Sequence, residues 1–396
     1  MIKVLRIINR FNLGGPTHNA AYLTKYLPSE YQTMLIGGVP ESHEADSLHI
    51  VKSLGIEPVI IPEMSRSINP INDLNAFYKI RKIIRQFKPD IVHTHASKAG
   101  LLGRLAAIQE NTPVIVHTFH GHVFHSYFNP LITKTIINIE RYLARKTSAI
   151  IAISELQKRE LVNDFKIAPE NKFEVIPLGL NLSKFSENKE QKRKQFRSEY
   201  NIPENVIAIG CVGRLVSIKN HHLLIDAVKI LKTLTSQKFE VIIIGDGKMK
   251  TELQNYITQN NMTYRENAHQ SPSDFYFTSW IKDMPLAYAG LDIVALSSKN
   301  EGTPVSLLEA QAAGKCVVST NVGGVKDILF SEAGIIVNDF TPQSFANALL
   351  KLLENYTSIN SFIEKNISQK VIEKYSYQNL VQNVDKLYKR LLVKSE

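Results

Sequence analysis

Two glutamates eight residues apart, in the run Glu301-Gly-Thr-Pro-Val-Ser-Leu-Leu-Glu309, are the residues whose type and spacing most suggest chemistry. Thr303 followed by Pro304 reads as N-cap and first residue of a helix, because proline has no N–H to leave unpaired there and its fixed φ suits the position. The pattern predicts a helix over 305–313 that stops at Gly314. Its free N–H groups, those of Val305 and Ser306 above all, would point back toward Glu301 and favour an anion such as phosphate. Eight helical residues span about 12 Å. That is too far for two carboxylates to share a proton, but it suits gripping two parts of one elongated ligand, a sugar and a ribose for instance. An ordinary surface helix with a glutamate in it has the same spacing.

Cations and histidines supply the other candidates. Arg214 and Lys219 stand five residues apart where a strand-like run gives way to a helix-like one. Such a pair can neutralise a diphosphate, arginine by its planar fork and lysine as a point charge, though surface charges at a loop look the same. Six histidines cluster in two short stretches: His93 and His95, with Lys98 close behind, and then His117, His120, His122 and His125. His93 and His95 share one strand face, which raises a metal site. No neighbouring carboxylate completes a tetrahedral set, so hydrogen bonding to a hydroxylated ligand is the better account. Gly14-Gly15 after the first strand and Gly245 in Gly245-Asp-Gly247 are turns where a ligand or a simple connection could sit. The chain has no Asp-x-Asp, which argues against a metal-chelated diphosphate and leaves the cations to do that work.

Elements that could position these residues follow from length and patterning. At 396 residues the chain exceeds the size at which one core keeps growing, so two domains are expected. An apolar share of 44% and a charged share of 21% are those of a globular protein. No signal-peptide pattern opens the chain and no apolar run reaches the length of a membrane span. Cys211 and Cys316, both in apolar surroundings, suit a reducing cytosol. The net charge of +10, leaning mildly to the N-terminal half, admits anionic partners. Nucleic acid is disfavoured because no basic run carries interleaved aromatics. Residues 76–88 are basic on one helical side and apolar on the other, fitting either an anionic membrane surface or a helix packed on a sheet.

Short β-branched runs alternate with helical patterns, the signature of doubly wound parallel sheets in an α/β protein. Strands are predicted at 3–9, 32–37, 57–61, 91–95, 114–118 and 149–153, then at 206–212, 239–244, 277–280, 291–296 and 316–320. Helices are predicted at 18–27, 222–234 and 379–392. A break over 175–200 separates a first domain, 1–183, from a second, 184–376, with 377–396 as a terminal helix.

The ordered motifs Val212-Gly-Arg-Leu-Val-Ser-Ile-Lys-Asn220, Ile244-Gly-Asp-Gly247, Leu291-Asp-Ile-Val-Ala-Leu-Ser-Ser298, Glu301 to Glu309 and Ala313 to Gly324 resemble the retaining glycosyltransferases of family 4, or glycosyl transferases group 1. The resemblance covers nearly the whole chain. It implies a GT-B fold, two Rossmann-like domains facing across a cleft, with the terminal helix returning to the first. It implies hexosyl or N-acetylhexosaminyl transfer from a nucleotide sugar, UDP-linked foremost, without metal or other cofactor. Glu301, Arg214, Lys219 and His120 match the family's catalytic positions. Glu309 matches the glutamate on the ribose, and Gly14, Gly15, Thr303, Pro304, Val305, Gly245, Trp280 and Ile281 match donor contacts. His93, His95, Lys98 and His122 fall on the acceptor side. Asn220 departs from the pattern where glycine is common, and Cys316 stands where proline often follows Lys or Arg. The histidine stretches are similar to bacterial enzymes that build surface polysaccharide on a glycan or polyprenyl-diphosphate-linked acceptor at the cytoplasmic face of the membrane. The alternatives are a sugar-nucleotide 2-epimerase of the same fold and a non-catalytic sugar-nucleotide-binding module.

Overall fold

The computed structural model describes residues 1–12, 15–40, 47–65, 67–121, 124 and 129–394. It divides into two units, Met1–Leu180 with Tyr375–Glu396, and Asn181–Lys374. Each is a seven-stranded α/β sheet whose strands all pair in parallel. Parallel sheets need helices on both faces, and their strands read as continuous apolar runs. That is how β-branched stretches such as Ile207-Ala-Ile-Gly-Cys-Val212 come to be buried.

In the first unit the strands are β1 (Ile2–Arg10), β2 (Tyr31–Gly38), β3 (Val59–Ile60), β4 (Ile91–His95), β5 (Val114–Phe119), β6 (Ala149–Ala152) and β7 (Phe173–Val175), in the order β3-β2-β1-β4-β5-β6-β7. Among the helices joining them are α1 (Gly15–Tyr26), α2 (Pro70–Phe87), α3 (Ser97–Gln109) and α4 (Pro130–Lys146). α2 and α4 start alike: Asn69 and Asn129 accept hydrogen bonds from the first free N–H groups, and a proline follows each cap. The C-terminal helix, Tyr377–Val393, belongs to this unit. Its Leu380, Val384, Leu387 and Tyr388 pack with Val4, Leu23, Ile91 and Val116 in one core, each such side chain contributing about 1.5–3 kcal/mol by burial.

The second unit holds β8 (Ile207–Val212), β9 (Phe239–Ile244), β10 (Tyr264–Arg265), β11 (Phe275–Ser279), β12 (Ile293–Leu296), β13 (Cys316–Thr320) and β14 (Gly334–Val337), in the order β10-β11-β9-β8-β12-β13-β14. Its helices include α5 (His221–Leu234) and α6 (Val305–Ala312). Both sheets therefore reverse their winding beside the first strand of the unit, between β1 and β4 and between β8 and β12. Open α/β sheets bind ligands at the carboxyl ends of the strands flanking such a reversal. In the first unit those ends lead to Gly15 and to His95; in the second they lead to Gly213-Arg214 and to Glu301.

The observed elements correct the sequence reading in places. Trp280, expected as the last residue of a strand, lies just beyond β11 because Ser279 takes a left-handed φ of 58° and turns the chain outward. α6 is capped by Pro304, with ψ of 101°, rather than by Thr303, and no side chain caps it. Among the described residues, β7, β10 and β14 have no counterpart in the expected set, being too short to show a period of two.

Candidate functional site

In the second unit, Lys219 and Glu301 meet at the switch point. Lys219 Nζ lies 2.6 Å from Glu301 Oε1, and Ser298 Oγ donates to the same oxygen at 2.6 Å. The loops carrying them are tied together: Ser297 Oγ donates to Lys219 O at 3.0 Å and Lys299 N donates to Ile218 O at 2.8 Å. Asn220, the departure from the family pattern, adopts a φ of 51°, a left-handed conformation that asparagine tolerates nearly as well as glycine. Arg214, directly after β8 and Gly213, is exposed and makes no ion pair or side-chain hydrogen bond among the described residues. Its guanidinium is therefore open to an incoming anion.

Close backbone approach shapes the rest of this pocket. A Cβ on Gly245 would stand 2.0 Å from Gly213 O, and one on Gly323 would stand 1.7 Å from Glu301 O. The loops after β8 and β9 can touch only because residue 245 has no side chain, and the same holds for the loops after β12 and β13. Gly324 N then donates to Gly302 O at 2.8 Å, fixing the turn that leads through Thr303 and Pro304 into α6. Leu307 N donates to Pro304 O, while the N–H groups of Val305 and Ser306 have no acceptor among the described residues. They carry the positive end of the helix dipole.

Glu309, about one turn into α6, is the most perturbed carboxyl of the unit. Burial pushes it up to about 7, while nearby Tyr288 and then Lys184 pull the other way. Tyr288 is fully buried, and its hydroxyl donates to Ser306 O at 3.0 Å. Trp280 is 53% exposed, and Ile281 beside it is half-buried. Ser298 and Tyr288 were not singled out by the sequence. Ser298 lies three residues before Glu301 and could have been found by that proximity, whereas Tyr288 carries no local signal.

In the first unit Gly15 opens α1, where a Cβ would meet Leu178 Cδ1 at 3.9 Å, an ordinary contact; Gly14 lies outside the described residues, as does His122. The histidines at the ends of β4 and β5 form a buried stack. His93 and His95 stack at 4.3 Å between centroids, and His95 and His120 at 5.2 Å. His93 has both nitrogens taken, Nδ1 by Tyr388 Oη at 2.6 Å and Nε2 by Thr118 Oγ1 at 2.7 Å, so neither is left for a ligand. Lys98 is committed too, to Asp73 at 2.5 Å and Ser67 O. His95 Nδ1 and His120 Nε2 share a hydrogen bond of 2.9 Å. That leaves His120 Nδ1 buried without a protein partner, along with Nε2 of His95 and of His117. Burial holds all four imidazoles neutral, His120 at about 3 and the others well below their ordinary range. They can orient hydroxyl groups but bring no charge. Among the described residues no group of three or more His, Cys, Asp or Glu side chains could hold a metal ion.

Both units match known protein families. Residues 13–184 match Glycosyltransferase Family 4, and residues 192–369 match Glycosyl transferases group 1. The chain is 28% identical over 337 residues to the UDP-Gal:alpha-D-GlcNAc-diphosphoundecaprenol alpha-1,3-galactosyltransferase of Escherichia coli, covering 84% of this chain and 82% of that protein. It is 28% identical over 364 residues to the capsular polysaccharide biosynthesis glycosyltransferase CapM of Staphylococcus aureus, covering 88% and 91%. The crystal structure of HepE from Anabaena in complex with UDP superposes with a TM-score of 0.80 at 18% identity, over 98% of this chain and all of that one.

Proposed function

From the premise that this chain belongs to the family 4, group 1 glycosyltransferases, we propose a hexosyl or N-acetylhexosaminyl transfer. The donor is a nucleotide sugar, UDP-linked by preference. The acceptor is a glycan or a polyprenyl-diphosphate-linked sugar in surface-polysaccharide synthesis, and the anomeric configuration is retained. The observation that carries the reading is the Lys219–Glu301 pair beside the start of α6, with Arg214 unpaired next to it. UDP in the HepE complex and the diphosphoundecaprenol acceptor named for the Escherichia coli relative support the donor and acceptor classes.

The chemistry follows from charge. Breaking the bond between anomeric carbon and phosphate leaves an oxocarbenium-like sugar and places new negative charge on the diphosphate, so stabilising that charge is the main task. Arg214, Lys219 and the N–H groups of Val305 and Ser306 are the donors that meet it, and the transfer runs without a metal. Lys219 turns from Glu301 toward phosphate, which frees the Glu301 carboxylate to accept from sugar hydroxyls. Glu309 accepts from the ribose hydroxyls, and Trp280 and Ile281 border the base. His120 offers its unpartnered Nδ1 to a sugar hydroxyl. The acceptor oxygen bonds the anomeric carbon on the face the phosphate leaves, and its proton passes to the departing phosphate oxygen. No protein nucleophile is invoked. On this reading a lipid-linked acceptor brings the reaction to the cytoplasmic face of the membrane. Among the described residues no helix is long and apolar enough to cross one.

A thermal-shift panel of UDP-, GDP-, ADP- and TDP-sugars in EDTA tests the donor, since a ligand that binds only the folded state raises its stability with concentration. One nucleotide should stabilise the protein and Glu309→Ala should abolish the shift. Transfer of labelled sugar from that donor to a lipid-linked acceptor, with an axial linkage from an axial donor, is the expected product. No shift with any nucleotide sugar, on folded protein, would overturn the reading.

A further inference from the structure

Helix α4 takes no part in the site described above, and its two sides differ. Glu140, Leu143 and Ala144 are buried, Glu140 through an ion pair of 2.6 Å with the fully buried Arg104. On the outer side Leu131 is 76% exposed, Ile132 43%, Ile139 38% and Tyr142 52%. At 3.6 residues per turn Leu131, Ile139 and Tyr142 form one stripe, with Ile132 at its edge. Single exposed apolar residues are ordinary, but a row of four on one helix is not. A groove of about 490 Å³ runs alongside, lined by Leu101 and Leu105 of α3 with Ile139 and Tyr142.

The charges around this stripe have one sign. Glu140 is the only acid in α4 and it is buried, while Lys134, Arg145 and Lys146 are exposed and unpaired among the described residues. At the end of the helix a second cavity, of about 610 Å³, is lined by Arg141, Arg145, Lys166 and Lys172 and by no acid. Lys172 is spent on the carbonyls of Ala144, Arg145 and Thr147, and Arg141 Nη2 donates to Phe165 O at 2.7 Å. Arg145 and Lys166 remain. α2, which covers the basic and apolar stretch singled out in the sequence, also exposes Ile71, Leu74 and Tyr78, but three of its four cations are committed: Lys79 pairs with Glu63, and Arg81 and Arg85 pair with Glu110.

We propose that the outer face of α4 docks the first unit on an anionic phospholipid bilayer. The apolar row enters the acyl boundary, and Lys134, Arg145, Lys146 and Lys166 lie at the level of the phosphates. A second copy of this chain fits poorly, because a symmetric contact would set the same cations against each other. A bilayer supplies apolar depth and dense negative charge together. The inference deepens the lipid-linked acceptor reading and rests on it for its purpose, while the docking is measurable without substrate.

The test is co-sedimentation of the full chain with vesicles of phosphatidylglycerol and phosphatidylcholine, against phosphatidylcholine alone, at low and high salt. Binding should require the anionic lipid and weaken with salt. Each cation near such a surface is worth about fivefold in partitioning, so Lys134→Ala with Arg145→Ala should lower it about 25-fold. Leu131→Ser with Tyr142→Ser should lower it at least about tenfold at every salt concentration. These positions are exposed, so the nucleotide-sugar thermal shift should persist in both variants. Wild-type protein that stays in the supernatant with anionic vesicles would overturn the proposal, as would variants that bind like wild type. A wild-type dimer that the serine pair turns into monomer, read by light scattering, would overturn it in favour of a second copy. Vesicle binding without transfer to a lipid-linked acceptor would refute the acceptor and leave the docking standing. Transfer in detergent without vesicle binding would do the reverse.

Discussion

Glu309 should make donor binding depend on pH, and the size of the effect can be worked out. In the empty site its carboxyl titrates at about 7 because burial disfavours the charge. Ribose hydroxyls are donors, so the bound state needs the carboxylate, and the apparent Kd scales with one plus the ratio of protonated to ionised carboxyl. With a pKa near 7, about a tenth of the protein is ionised at pH 6 and about nine tenths at pH 8, so Kd should fall about tenfold across that interval. A nucleotide sugar is the proper ligand, because its diphosphate has no group that titrates in this range, whereas a free nucleoside diphosphate has one. Calorimetry in buffers of different ionisation heat should show about one proton released per binding event near pH 6. Glu309→Gln should flatten the slope and weaken binding at pH 8 by about 10- to 100-fold, the loss of a charge-assisted hydrogen bond. Stability carries the opposite sign. A carboxyl whose folded pKa lies above its unfolded value holds a proton that the unfolded chain has already released. It therefore costs stability as pH rises from about 4.5 toward about 7. The Tm of the empty wild type should drop relative to Glu309→Gln over that window. A Kd unchanged between pH 6 and 8, or a slope that survives in Glu309→Gln, would refute the reasoning.

Lys219→Ala and Arg214→Ala should each lower kcat about 10²- to 10³-fold if they stabilise the leaving diphosphate, and full rates in a labelled-donor assay would sink the charge account. Gly245→Ala should destabilise the protein by about 2–4 kcal/mol in urea unfolding, since its Cβ would stand 2.0 Å from Gly213 O at a φ of 151°; an unchanged midpoint would show that the loops can separate freely. Tyr388→Phe removes the hydroxyl that bonds His93 Nδ1 and accepts from the buried Arg6, and should cost about 1–3 kcal/mol by the same measurement. A cost near zero would mean that water replaces it.

What could be read from the sequence was what depends on local spacing. The strands over 91–95, 239–244 and 316–320 and the turn at Gly245 are set by neighbours in the chain, and they stand where the pattern put them, whereas the first helix already begins at Gly15, three residues before the expected start. Proline misled at the start of α6 because its fixed φ is compatible with both the cap and the first helical position. The choice falls to ψ, which is set by the distant contact between Gly324 and Gly302. Strands of two to four residues, such as β10 and β14, escaped for a simpler reason: a period of two cannot be counted in so few residues.

The histidines mark where a sequence argument runs out. His93 and His95 have the same type, the same strand face and the same burial, and nothing local separates them. The difference is made 295 positions away, where Tyr388 on the C-terminal helix reaches His93 Nδ1 and Thr118 closes on Nε2. His93 is thereby a satisfied core residue, while His95 passes its one bonded nitrogen to His120 and leaves His120 Nδ1 unanswered. In a neutral imidazole pair one ring must donate to the other, so the proton between His95 and His120 decides whether His120 presents a donor or an acceptor. Clustering at strand ends could thus be read from the sequence, but the division of hydrogen bonds among the histidines is a property of long-range contacts that only the folded chain contains.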